Sequence, residues 1–171
     1  MNTAVAVDIG GTSIKVATVG CDGTVVGRET RDTAAASATA SDIGEKIADM
    51  VQRQLDARAH HHASTVGIGV PGTTSEDGDR VINMPNIPSF NGFPLGTMLS
   101  KTLGLPVFID NTSNNAARGE ALFGAAKGRN CFALVTIGTG IGGAIYIDGD
   151  IYRGASLYAG EIGHTTVVPE G

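Results

Sequence analysis

Short apolar, β-branched runs open the chain and predict strands. Such runs cover residues 4–9, 14–19 and 24–30, and an Asp-Gly pair at 22–23 separates the second run from the third. Two strands joined by an Asp-Gly turn are typical of a β-hairpin. The sequence therefore predicts that the chain begins with an antiparallel meander of about three strands.

A four-residue apolar repeat comes next and predicts a helix. Four apolar residues spaced by four, from Ile43 to Leu55, form a one-sided stripe. We interpret Asp42 and Glu45 as its N-terminal capping pair, and the histidines at 60–62 as its end. Three consecutive side chains point in different directions around a helix, so a solvated helix end is favoured over a metal site.

The remaining pattern alternates strands with helices. A Pro-rich, irregular stretch at 73–93 interrupts it. Further strands are predicted at 66–70, 81–82, 107–109, 132–137, 144–147 and 151–152, and helices are predicted to begin at Pro94 and Thr112. This order indicates a mixed α/β fold with a meander and crossovers.

Composition excludes several classes of protein. A hydrophobic fraction of 42% argues against a disordered chain, while 5% aromatics without Trp argue against a base-stacking surface. The net charge of −5 argues against broad nucleic-acid binding. Neither a membrane span of ~20 apolar residues nor a signal peptide is evident, so we expect no membrane partner and a cytoplasmic location. Cys21 and Cys131 form no CxxC pair and are expected to be reduced thiols.

Two glycine-rich segments carry the candidate chemistry. They are Asp8–Lys15 (DIGGTSIK) and Ile137–Gly143 (IGTGIGG), and each comes after an apolar strand. Glycine lets main-chain N–H groups turn toward an anion, a neighbouring hydroxyl adds a donor, and an Asp can hold Mg²⁺ through water. A tight hairpin without a ligand would explain one such loop, but two loops could grip one polyphosphate from opposite sides. GxxxxGK[ST] is absent, and no helix comes after the second segment, which argues against P-loop and dinucleotide folds.

With these segments in view, the sequence resembles the ROK family of sugar kinases and sugar-responsive repressors, within the actin-like ATPase superfamily. The resemblance covers nearly the whole chain. Its motifs are Asp8-x-Gly-Gly-Thr-x-x-Lys15, the GIGVPG segment at 67–72, Pro85-Asn86, the second glycine segment, and the AGEIGH segment at 159–164.

The resemblance implies ATP-dependent phosphorylation of a hexose or hexosamine hydroxyl, with ATP and Mg²⁺ as cofactors. The implied nucleotide-binding residues are Asp8, Gly10, Gly11, Thr12, Lys15, Gly138, Thr139 and Gly140. For Lys15, a solvated strand-end lysine remains an alternative. The implied sugar-binding residues are Gly72, Asn86, Asn111, Glu161 and His164. The implied fold is an actin-like (ribonuclease H-like) α/β lobe over 1–111, with the beginning of a second lobe over 112–171.

One departure from the family falls on the catalytic position. The family's catalytic Asp lies in a stretch resembling Asn-Asp-Ala-Asn, and here Thr112 occupies that position. A threonine cannot serve as a carboxylate base. Asp110 could stand in, because residues i and i+2 of a strand share a face. We therefore expect impaired catalysis.

A second departure lies near His164. The family's cysteine cluster, which binds a structural zinc, and its adenosine-binding segment are absent from this sequence, so no metal site is expected at His164. We expect a homo-oligomer when the protein is full length.

Two rival functions remain. One is a sugar-binding regulator or pseudokinase without a DNA-binding domain, since the first predicted strand begins within a few residues of Met1. The other is an actin-like ATPase acting on protein partners, against which the Pro85-Asn86 and AGEIGH motifs speak.

Overall fold

The structure, a computed structural model, describes residues 2–57, 62–138 and 140–168. Its regular elements are β1 (Asn2–Ile9), β2 (Ser13–Gly20), β3 (Val25–Asp32), α1 (Ala40–Asp56), β4 (His62–Val70), β5 (Thr73–Thr74), β6 (Val81–Asn83), α2 (Leu95–Leu103), β7 (Val107–Asn111), α3 (Thr112–Phe123), β8 (Cys131–Ile137), β9 (Ile141–Ile147) and β10 (Asp150–Ile151). Two compact units divide the chain, Met1–Thr112 and Ser113–Gly171. None of the helices in the described ranges is long and apolar enough to cross a bilayer.

A five-stranded mixed sheet forms the first unit, in the order β3-β2-β1-β4-β7. Strands β1, β2 and β3 pair antiparallel, which confirms the predicted meander, whereas β1, β4 and β7 are parallel. Gly23 adopts a φ of +84° in the β2–β3 turn, a conformation that glycine reaches without steric cost. The three parallel strands therefore deliver their carboxyl ends to one edge of the sheet.

Helices α1 and α2 cover one face of this sheet. Val5, Val7 and Ile9 alternate along β1, are buried, and form a single apolar cluster with residues of both helices. The predicted stripe of α1 is confirmed, because its isoleucines are fully buried. Gly44 marks the closest approach of the helices, since a Cβ there would lie 2.7 Å from the Met98 Sδ.

The N-terminus of α1 differs from the prediction. Thr39, rather than Asp42, is the capping residue, and its extended backbone lets its hydroxyl accept a hydrogen bond from the Asp42 N–H at 3.2 Å. Asp42 occupies the third helical position, where its carboxylate accepts from the Thr39 N–H at 2.8 Å. The two residues form a reciprocal capping box, so the assignment of Asp42 and Glu45 as the capping pair is wrong.

The end of α1 also differs from the prediction. The helix stops at Asp56, and His62 is the first residue of β4, where it pairs with Asn2 of β1. The ladder with β1 supplies partners for the backbone here, so His62 does not end the helix. His60 and His61 lie outside the described residues.

The second unit contains α3 and a three-stranded antiparallel sheet in the order β10-β9-β8. Its buried apolar cluster is small and contains Ala117, Ala144 and Ile151. Strand β9 begins at Ile141, three residues earlier than predicted, so the second half of the glycine segment lies within a strand.

Candidate functional site

A row of three residues crosses the edge where the parallel strands of the first unit end. Asp8 of β1 pairs with Gly69 of β4, which pairs with Asp110 of β7. Residues paired in this way point to the same face, and strands two apart are separated by about 10 Å. Because Gly69 has no side chain, the row presents two carboxylates with a gap between them.

The first glycine loop, Gly10–Thr12, joins β1 to β2 beside this row. The Gly10 N–H donates to the Ser13 carbonyl at 2.9 Å and closes the turn. Gly11 and Thr12 are exposed, and within the described part of the chain their N–H groups donate to no protein acceptor. Two such N–H groups on exposed residues, next to a threonine hydroxyl, suit an anion such as a phosphate.

Asp8 and Lys15 form an ion pair at this loop. They are opposite residues of β1 and β2, and the Lys15 Nζ lies 3.4 Å from the Asp8 carboxylate. Both side chains are well exposed, at 61% for Lys15 and 44% for Asp8, so solvent screens the attraction. Lys15 is therefore neither buried nor locked, and it can turn toward an anion in the loop.

The residues at this edge of the sheet fit Mg²⁺ in a site shared with waters and phosphate oxygens. No group of three or more His, Cys, Asp or Glu side chains within the described ranges could hold a metal by itself. Mg²⁺, however, is usually held by one or two carboxylates, several waters and phosphate oxygens. Asp8, exposed beside the glycine loop, supplies one such carboxylate.

Asn86 is an exposed residue in a loop whose apolar residues are buried in the core. Met84, Ile87 and Phe90 are fully buried at every third position, while Asn86 is exposed between them. Gly11 lies against it, since a Cβ on Gly11 would be 3.5 Å from the Asn86 Cβ. The predicted phosphate loop and the predicted sugar loop thus lie next to each other.

An open cavity of about 510 Å³ adjoins this contact. Its lining residues are Gly11, Thr12, Asp32, Ala34, Ala35, Ala36, Ser37, Asn86 and Pro88. Small side chains form much of its wall, so there is room for a polar ligand beside Asn86.

Gly72 and Asn111 are joined directly. The Asn111 Nδ2 donates to the Gly72 carbonyl at 3.0 Å, which ties the turn after β4 to the end of β7. A Cβ on Gly72 would overlap the Asn83 carbonyl oxygen, so this position requires glycine. The bond fixes the plane of the Asn111 amide at the edge of the sheet.

Position 112 is the first residue of α3, directly after Asn111. The Thr112 Oγ1 is buried and has no hydrogen-bond partner among the described residues. Asp110 is 6% exposed, and its carboxylate accepts from the Asn111 N–H at 2.7 Å. The acid nearest to position 112 along the chain is therefore already engaged by the backbone.

In the second unit, the second glycine loop connects β8 to β9. The Gly138 N–H donates to the Gly140 carbonyl at 2.9 Å, and Thr139 lies outside the described residues. Gly143 falls within β9, and a Cβ there would come 2.6 Å from the Gly160 carbonyl oxygen. Glycine is placed in this strand because the AGEIGH segment approaches it closely.

Glu161 and His164 lie on that segment. The His164 N–H donates to the Glu161 carbonyl at 3.2 Å, so both residues belong to one short turn. A Cβ on Gly163, between them, would overlap the Ile141 carbonyl oxygen at the start of β9. The AGEIGH turn and the second glycine loop therefore meet at one end of β9.

One residue that touches the first glycine loop carried no signal in the sequence. Thr33 is fully buried and donates from its hydroxyl to the Gly10 carbonyl at 2.6 Å, and from its N–H to the Thr12 carbonyl at 2.9 Å. It lies more than twenty residues from the loop in an alanine-rich connection, where no local pattern indicates such a contact.

Comparison with known proteins extends these observations. The family model described as ROK family matches residues 4–171. The glucokinase of Halalkalibacterium halodurans is 39% identical over 171 residues, which cover 98% of this chain and 51% of that protein. The xylose repressor of Caldicellulosiruptor bescii is 38% identical over 102 residues, which cover 60% of this chain and 25% of the repressor.

Solved structures agree on the fold. The crystal structure of a ROK family glucokinase from Streptomyces griseus, in complex with glucose and AMPPNP, superimposes with a TM-score of 0.85 at 36% identity, over 99% of this chain and 52% of that one. This chain thus spans about half the length of the kinases it matches. Its mixed α/β architecture is the actin-like one expected from the sequence, and the chain belongs to the ROK family.

Proposed function

We propose that this chain forms part of an ATP-dependent sugar kinase that phosphorylates a hydroxyl of a hexose or hexosamine. The observation that carries the proposal is that the glycine loop and Asn86 lie next to each other and line one cavity. Gly11, whose N–H donates to no acceptor in the described part of the chain, lies against the residue that the family resemblance assigns to the sugar. A phosphate at the loop and a sugar at Asn86 would be neighbours, as transfer between them requires.

The phosphate half of the proposed site uses main-chain donors. The N–H groups of Gly11 and Thr12 and the Thr12 hydroxyl would bind nucleotide phosphates, and Lys15 would add positive charge. Gly138, Thr139 and Gly140 are proposed to bind phosphate in the second unit. Mg²⁺, when bound, would neutralise phosphate charge, with Asp8 as its protein carboxylate.

The sugar half of the proposed site uses groups that match a hydroxyl's dual ability to donate and accept. The Asn86 and Asn111 amides offer both functions, and a Glu161 carboxylate accepts. Asn111 is pre-positioned by its bond to Gly72. His164 shares a turn with Glu161 and would contact the same ligand.

The catalytic position weakens the proposed reaction. A carboxylate base that accepts the sugar's proton contributes roughly 10²–10⁴ in rate, and Thr112 cannot supply it. Asp110 remains the weaker candidate for that role. It lies on β7, two residues before Thr112, and its carboxylate already accepts a hydrogen bond from the Asn111 N–H. Positioning and phosphate binding can still support slow transfer.

A second candidate function is a catalytically impaired sugar-binding regulator. Thr112 at the base position favours it, and the similarity to a xylose repressor shows that ROK relatives include regulators. In this case the sugar residues would be retained while phosphoryl transfer is lost.

A coupled ADP-release assay against a panel of hexoses and hexosamines tests the proposal. A sugar kinase shows sugar-dependent ADP release that saturates with one or more of these sugars. Saturable sugar binding by calorimetry without any ADP release supports the regulator instead. The absence of both turnover and sugar binding would refute both functions.

A further inference from the structure

We propose that Thr33 is a positioning residue that sets the orientation of the Gly11 main-chain N–H in the first glycine loop. The inference rests on the proposed function, because it assumes that the loop binds phosphate. It assigns a role to a residue outside the glycine loop, in the connection between β3 and α1.

The geometry begins with two hydrogen bonds from one residue. The Thr33 hydroxyl donates to the Gly10 carbonyl at 2.6 Å, and the Thr33 N–H donates to the Thr12 carbonyl at 2.9 Å. Thr33 is fully buried, so water does not compete for either bond. The carbonyl groups of Gly10 and Thr12 are thereby directed to the side where Thr33 lies.

Peptide planarity lets the bond to the Gly10 carbonyl control the direction of the Gly11 N–H. The Gly10 carbonyl and the Gly11 N–H belong to one trans peptide unit and point in opposite directions. Holding the carbonyl on Thr33 therefore directs the Gly11 N–H away from Thr33. That N–H is one of the two exposed donors assigned to the phosphate.

The Gly10–Gly11 peptide unit could flip if no other residue held it. It is flanked by two glycines, which tolerate both signs of φ and allow the peptide to flip at little cost. Gly11 does not have a positive φ in this structure, and a flip would give it one while turning its N–H inward. The Thr33 hydroxyl favours the unflipped form.

Lys46 of α1 holds Thr33 in turn. Its Nζ donates to the Asp32 carbonyl at 3.0 Å and to the Thr33 carbonyl at 3.4 Å. The connection is thus tied to a helix that packs into the core of the first unit. A chain of bonds runs from α1 through Thr33 to Gly10.

Thr33→Val tests the proposal, because valine keeps the shape of threonine and removes the hydroxyl. We expect the dissociation constant of AMPPNP with Mg²⁺, measured by calorimetry, to rise about five- to tenfold, the effect of one lost hydrogen bond. The dissociation constant of glucose should stay within twofold. Thr33→Ser, which restores the hydroxyl, should return AMPPNP binding to near the wild-type value.

Thr3→Val is the matched control. Thr3, in β1, is likewise a buried threonine, but its hydroxyl has no partner among the described residues, so AMPPNP binding should not change. If Thr33→Val does not fold, Lys46→Met provides the second test. It should weaken AMPPNP binding in the same direction by about two- to threefold, because it acts one bond further away.

The outcomes separate the inference from the proposed function. Unchanged AMPPNP affinity in both Thr33→Val and Lys46→Met would overturn the inference and leave the proposed function standing. Equal loss of AMPPNP and glucose affinity would also overturn it, since that is the mark of a merely structural residue. If the wild-type protein binds no AMPPNP, the proposed function fails and the inference falls with it.

Discussion

The two glycine loops are supported in different ways. The first comes after β1, whose Val5, Val7 and Ile9 are buried in the main apolar cluster, and Thr33 and α1 brace it from behind. The second joins strands with much apolar surface in solvent, with Ile137 86% exposed and Ile141 58% exposed. The first loop is therefore shaped by its own unit, whereas the second depends on a sheet that is only partly packed.

This difference has a consequence for association. Exposed apolar side chains that lie side by side on a sheet are a hazard for self-association or mark a surface that another segment covers. Val135, Ile137 and Ile141 are such residues in the second unit, and all three are more than half exposed. In the first unit, Val5, Val7 and Ile9 of β1 are instead buried in an apolar cluster with residues of α1 and α2.

The largest predicted contrast comes from matched isoleucines. Ile47→Ala in α1 should lower the free energy of unfolding by about 2–5 kcal/mol, because the side chain is fully buried and leaves a cavity. Ile137→Ala should change it by less than about 0.5 kcal/mol and reduce self-association. Urea unfolding and light scattering measure the two effects. Equal destabilisation by both substitutions would contradict the difference in packing between the two units.

A smaller contrast comes from matched glycines. Gly72→Ala and Gly163→Ala each place a Cβ on a backbone carbonyl oxygen, that of Asn83 or of Ile141. We expect Gly72→Ala to cost about 1–3 kcal/mol, since Gly72 directly precedes the buried strand β5. Gly163→Ala should cost less than about 1 kcal/mol, because its exposed turn can shift. Gly67→Ala is the control, as a Cβ there meets nothing within 4 Å.

The smallest predicted contrast between matched variants is at the cap of α1, the helix that braces the first loop. Thr39→Ala should lower stability by about 1 kcal/mol through loss of the capping hydroxyl. Ser41→Ala is the control, since Ser41 is exposed on the same turn. A cap effect no larger than that of Ser41→Ala would show that α1 does not need its capping box.

The same cap predicts a pH dependence. Hydrogen bonds from the Thr39 side chain and then from its backbone lower the pKa of Asp42 below its ordinary value of 3.8. The lowered pKa means that Asp42 contributes stability above the unfolded value, and that the contribution is lost as the pH falls through the folded value. The stability difference between wild type and Asp42→Asn should therefore be present at pH 7 and vanish in strong acid. A difference that persists there would contradict the assignment.

Local pattern is enough to predict most elements of the fold. Alternation identifies the meander, and the repeat from Ile43 to Leu55 identifies α1, because burial on one face leaves a period in the sequence. The cap is harder to place, since Asp42 lies three residues after Thr39 and three before Glu45, and both pairs have capping-box spacing. The sequence predicts Gly143 in a loop, but it lies in β9. Its close approach to Gly160 is set by tertiary packing, which no local pattern shows.

The candidate site likewise has features that local motifs predict and features that only the fold shows. Motifs predict Gly11 and Asn86 separately, and the structure places them next to each other. The bonds from Asn111 to Gly72 and from Thr33 to Gly10 join residues distant in sequence, so they could only come from the fold. The ligand-binding roles of all these site residues, Glu161 and His164 included, stay predictions.

The most direct test of the account is the sugar-dependent ADP-release rate of Thr112→Asp compared with that of the wild-type protein. Restoring a carboxylate at this position should raise kcat by roughly 10²–10⁴, with the KM for the sugar little changed, because the gain comes from proton transfer. An unchanged rate in a folded variant that still binds sugar and nucleotide would contradict the assignment of position 112 as the place of the missing base.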